Sequence, residues 1–133
     1  MRHAVSSTSN TVVSVSGLLA QIEQSCEGVM ILSEGLVRDD LLRSRLTRAE
    51  VVRQVRLAAD SAARLSQQTR KDLAEPDWSG WALTARRLDD TAALADDALW
   101  FAVTALAPAT LMWFRVYRQS QPRLFLCEPG GAG

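Results

Sequence analysis

The chain has 133 residues, with 15 basic and 15 acidic side chains and a formal net charge of zero. That length suits one domain that can bury a core without disulfides or a metal. The even balance excludes a global field drawing the molecule to nucleic acid or an anionic membrane, so any anion site must be local.

Residues Met1 to Asn10 are polar, Ser-rich and without periodicity, and Glu128 to Gly133 reads EPGGAG. Disorder is expected over 1–11, a single helical domain over 12–118, and a flexible tail over 119–133. From about Val12 to Leu36 the apolar residues Val15, Leu19, Ile22, Cys26, Val29 and Leu36 recur at steps of four and three, interrupted only at Ser33. This is one face of a long helix that Gly35 ends. Arg38 to Leu42 reads as a short helical turn.

Thr47-Arg-Ala-Glu50 has the form of a capping box, which predicts a helix start at Thr47. Val51, Val55, Ala58, Ala62 and Leu65 form its apolar seam to about Ser66, with Arg56, Asp60 and Arg64 spaced to pair on the opposite side. Gln67 to Leu73 is a short helix or loop, and Pro76-Asp-Trp-Ser-Gly80 supplies a stop with new caps at Asp77 or Ser79. A seam of Trp81, Ala85, Leu88, Ala92 and Ala95 follows. A last helix is expected from Asp96, as its N-cap, to Tyr117, carrying Leu99, Val103, Leu106, Met112 and Phe114 and kinked at Pro108. No stretch alternates with a period of two, so the predicted class is all-α, an up-and-down bundle of four to five helices.

Ala98 to Phe114 is free of charge but carries Pro108 and stands alone, so it reads as a buried core helix and not as a membrane span. Trp100, Phe101, Trp113 and Phe114 lie in it and are expected in the core or at an interface. A helix this apolar suggests a homodimer. The two cysteines, Cys26 on an apolar stripe and Cys127 near the end, and the lack of a secretory pattern suggest a reducing, cytoplasmic setting, with Cys26 as core filling.

Chemistry has few places to reside. The only histidine is His3, so neither a Cys/His metal cluster nor a Ser-His or Cys-His pair can form in the folded region, and there is no Gly-rich phosphate loop. No cofactor is expected. Asp89, Asp90, Asp96 and Asp97 repeat at seven-residue spacing and could hold a magnesium ion, with Asp89 and Asp90 the nearest candidates. The competing expectation is an ion-paired surface, because Asp89 and Asp90 lie within a helical turn of Arg86 and Arg87.

The order of LTRAEVVRQVRLAADSAARLS (46–66), EPDWSGW (75–81), the arginine pair Arg86-Arg87, and ADDALWFAVTALAPATL (95–111) resembles the HepT-like family of the HEPN superfamily. Leu46-Thr47, Val51, Arg53, Ala59-Asp60, Leu65-Ser66, Pro76 and Trp81 occupy the shared positions. The resemblance implies a dimeric helical bundle, and an origin among metal-independent toxin ribonucleases neutralised by an MNT-type nucleotidyltransferase. It also implies an Arg-x-x-x-x-His motif with a tyrosine two residues further on. Arg86 takes the arginine position, Thr91 the histidine position and Ala93 the tyrosine position, while Arg87 offers a second RNA-binding cation. Threonine does not titrate near neutrality, so the proton-transfer contribution, typically about 10² to 10⁴ in rate, is expected to be missing.

Three functions therefore compete. The first is a degenerate HepT-like dimer acting as a binding or regulatory partner of RNA or a nucleotidyltransferase. The second is a divergent ribonuclease using Arg86 and Arg87 with Asp89 and Asp90. The third is a helical interaction module with no nucleic-acid role.

Overall fold

The computed structural model describes residues 14–126, and these are helical throughout apart from short connections, with no strand among them. Six helices follow one another: α1 (Val15–Ser33), α2 (Arg38–Arg43), α3 (Arg45–Arg64), α4 (Gln67–Asp72), α5 (Trp78–Leu88) and α6 (Ala92–Ser120). A 3-10 turn, Pro122–Phe125, closes the described chain. The expected all-α class is therefore observed. The long helices pack in a ring: α1 lies on α3 and on the C-terminal half of α6, and α5 lies on α3 and on the N-terminal half of α6.

The periodic faces converge on one core. Leu19, Ile22, Cys26 and Val29 of α1 are fully buried, as are Val51, Val55 and Ala58 of α3, Trp81 of α5, and Leu99 and Phe114 of α6. Ser33, which interrupts the α1 stripe, is buried without penalty because its hydroxyl donates to the Val29 carbonyl at 2.8 Å. Burial raises the Cys26 thiol to about 12, with Glu23 and Glu27 adding to the shift, so it stays protonated and inert as core filling. Ser14 caps α1 by accepting from the Gly17 N–H at 3.0 Å. The stop after α1 is Gly35, at φ +74° with open space around its α-carbon. Gly35→Ala is therefore expected to lower stability by about 1–2 kcal/mol through backbone strain alone, readable as a shift in the urea unfolding midpoint.

Several local expectations fail for identifiable reasons. The capping box at Thr47 does not form. Only Ser44 separates α2 from α3, so the chain re-enters helix at Arg45 and the Arg48 N–H already reaches the Ser44 carbonyl at 2.8 Å. Glu50 turns instead to Arg53 (2.6 Å) and Gln54 (3.0 Å), and those hydrogen bonds, Arg53 first, hold its carboxyl down at about 2. The Arg56, Asp60, Arg64 ladder is also absent among the described residues, because Arg56 spans to Asp89 at 2.8 Å.

The last helix starts at Ala92, four residues before Asp96, and runs to Ser120. Pro108 does not interrupt it. A π-turn at Ala102–Leu106, in which the Ala107 N–H reaches back to the Ala102 carbonyl, shifts the bonding register just ahead of the residue that has no N–H to give. Within the segment expected as a tail from 119, Leu124 and Phe125 are partly buried against the core. Phe125 meets Phe114 edge-on at 5.5 Å and lies under the Arg118 guanidinium at 5.0 Å. The expected disordered start, His3, Cys127 and the EPGGAG end lie outside the described residues.

Candidate functional site

The stretch Ala85 to Ala93 is the joint between α5 and α6. α5 stops at Leu88, where the N–H groups of Asp89 and Asp90 close the last turn on the carbonyls of Arg86 and Arg87, each at 3.1 Å. Asp90 Oδ1 accepts from the Thr91 N–H at 2.8 Å, and Thr91 Oγ1 accepts from the Leu94 N–H at 3.3 Å, which makes Thr91 the N-cap of α6. Asp, Asp and Thr in succession favour such local side-chain bonds over helix continuation, so the seam expected to run from Trp81 through Ala95 is split here. The signal was present in the sequence as an acceptor three residues ahead of Leu94. It was obscured by alanines on both sides that fit a helical period.

The aspartates across the joint each have a partner. Asp89 bonds Arg56 at 2.8 Å, Asp96 bonds Arg48 at 2.7 Å and Asp97 bonds Arg38 at 2.7 Å, so α2 and α3 grip the start of α6 through two guanidinium–carboxylate pairs and the end of α5 through a third. Asp96 is thus an interhelix partner and not a cap. The expected pairs of Asp89 and Asp90 with Arg86 and Arg87 do not form, because the break at Leu88 ends the helical register they require. All three observed pairs are partly solvated, and such pairs contribute at most about 1 kcal/mol each, so they orient the helix more than they stabilise it. No cluster of three or more potential metal ligands occurs among the described residues.

Arg86 and Arg87 are exposed at the end of α5, without a carboxylate within bonding distance among the described residues. Arg87 borders a shallow cavity of about 310 Å³ together with Leu83, Asp97 and Phe101. Arg86 and Thr91 therefore lie on two different helices, and the hydroxyl at the histidine position of the motif is engaged in capping. Thr91→His is expected to yield no RNA cleavage and to lower stability by about 1 kcal/mol through loss of the cap. A cleavage assay beside a denaturant titration reads both.

The remaining conspicuous surface is apolar. Phe101 and Met112 on α6 are each 45% exposed and Val116 is 47% exposed. Met112, one of the apolar residues of a helix expected to be buried, faces outward. Trp100 and Trp113 are partly buried against the core and Phe114 is fully inside. By length and composition α6 could cross a membrane, although 39% of its apolar window is buried inside the bundle. No family model, curated protein or solved structure matches this chain.

Proposed function

We propose that this chain is a helical interaction module, a HepT-like bundle without ribonuclease chemistry that pairs with a second copy of itself through α6. The observation that carries the reading is the exposed apolar stripe Phe101, Met112 and Val116, with Ala105 and Ala109 between them. Contiguous exposed apolar surface of this kind marks an interaction site. In an antiparallel pairing about the alanines, Phe101 of one copy meets Met112 and Val116 of the other, and the small residues at the crossing let the helix axes approach.

α6 carries Asp96, Asp97, Arg115 and Arg118, and three of these are already paired within the chain, Asp96 with Arg48, Asp97 with Arg38 and Arg118 with Glu23. Those charges and the packing of α6 on both α1 and α5 argue against a membrane-spanning role, since a lipid-exposed helix must be apolar all round.

A divergent ribonuclease built on Arg86, Arg87, Asp89 and Asp90 has less support. Arg56 neutralises Asp89, and the Thr91 N–H holds Asp90. The HEPN-like form of the bundle, the MNT-type nucleotidyltransferase as a second partner, RNA binding and a cytoplasmic setting rest on the sequence alone. Light scattering at several concentrations tests the pairing. A mass of two chains is expected, and a single-chain mass at the highest concentration refutes it. An RNA cleavage assay on the same sample is expected to show no activity.

A further inference from the structure

A cavity of about 460 Å³ opens between α3, α4 and α5, away from the α6 stripe. Ala59 and Ala62 form its buried floor, Ala63 and Ala82 its exposed rim, and Trp78 and Arg70 its walls. Such a volume suits a small organic molecule. The Trp78 Nε1–H is already given to the Leu73 carbonyl at 2.8 Å, so this N–H adds no unmet donor to the wall. Ser79 is likewise engaged, its hydroxyl donating to Asp77 at 3.1 Å.

Arg70 is the group left unanswered. It is partly buried, and one Nη donates to the Ala62 carbonyl at 3.1 Å, which holds the guanidinium at the cavity edge. No carboxylate lies within ion-pair distance of it among the described residues. The neighbouring acids are committed elsewhere: Asp72 accepts from Gln68 at 2.9 Å, Asp77 caps α5 through the Gly80 N–H at 2.9 Å, and Glu75 accepts from Tyr117 at 2.9 Å. A half-desolvated guanidinium with free donors favours an anion, and a carboxylate matches its planar fork.

The geometry points to a binding site for a small, flat, apolar carboxylate. The acid group pairs with Arg70, and the body lies on the alanine floor against the Trp78 ring. The indole supplies a large apolar contact area, and the absence of longer side chains at Ala59, Ala62, Ala63 and Ala82 leaves the space the body needs.

Calorimetric titration of the full chain with 2-naphthoate, and with its neutral counterpart 2-naphthamide, tests the assignment. Naphthoate is expected to bind saturably and at least about tenfold more tightly than the amide, as a charge-assisted pair warrants. Arg70→Gln should remove that preference while leaving amide binding unchanged. Ala82→Leu, a surface position that fills the cavity from the rim, should weaken both ligands. Circular dichroism checks that each variant keeps its helices. Absence of saturable naphthoate binding at millimolar concentration, or an Arg70→Gln variant that binds naphthoate as well as the natural chain does, overturns the proposal.

Discussion

A chain carrying both Phe101→Glu and Met112→Glu is expected to run as a monomer under conditions where the natural chain runs as a pair. Each position is 45% exposed, so glutamate is accommodated in the separate chain, and the helical circular dichroism should be unchanged. Across a two-fold contact the two substitutions bring four carboxylates into a surface that excludes water. Burying a charge without a partner costs several kcal/mol. The apolar contribution is lost as well, at about 25 cal/mol for each Å² no longer covered. Together these should weaken the pairing by at least about a hundredfold, a change of about 3 kcal/mol. Light scattering gives the mass, and sedimentation at rising concentration gives the constant. If the substituted chain still pairs as tightly as the natural one, α6 is not the contact. Flotation of the natural chain with neutral lipid vesicles would instead assign the stripe to a bilayer.

The largest effect on stability is expected at Trp81. Its side chain is fully buried between α5 and α6, and its Nε1–H donates to Thr110 Oγ1 at 3.1 Å, joining the two helices through the interior. Trp81→Ala removes the ring, leaves a cavity in a close-packed region and breaks that bond, for a loss of about 3–5 kcal/mol. Domains of this size are commonly stable by only about 5–15 kcal/mol, so the variant should unfold at markedly lower urea. Trp81→Phe retains most of the volume and loses the hydrogen bond, and should fall between the two. A Trp81→Ala chain with a midpoint close to the natural one would mean that the Trp81–Thr110 contact does not hold α5 to α6.

The HepT-like motif shows how far local sequence reaches. The absence of a histidine from the folded region was legible at once, because composition requires no structure. That Thr91 caps a helix, and that Arg86 therefore belongs to a different helix from Ala93, is obscured in the sequence by the alanines on both sides. The choice between continuing a helix across Asp89 and Asp90 and breaking it is decided by small local differences, which the packing of α5 and α6 resolves. At Thr47 the opposite happened: a strong local signal was overridden, because α2 delivers the chain to α3 already turning.

By itself the sequence determined the helical class, the buried faces of α1 and α3 and the stop at Gly35, and it narrowed the cap of α5 to Asp77 or Ser79. Each depends on neighbours within one or two turns, and a burial pattern at helical pitch records them directly. Tertiary structure alone decided the partners of Asp89, Asp96 and Asp97, which lie 33, 48 and 59 positions from their arginines. It also decided that Phe101 and Met112 face outward while Phe114 faces in. Hydropathy records how strongly a side chain prefers to leave water, but which of several apolar residues find cover depends on where the other helices lie. In α6 both flanks are occupied, by α1 and α5, and the outer face is left exposed.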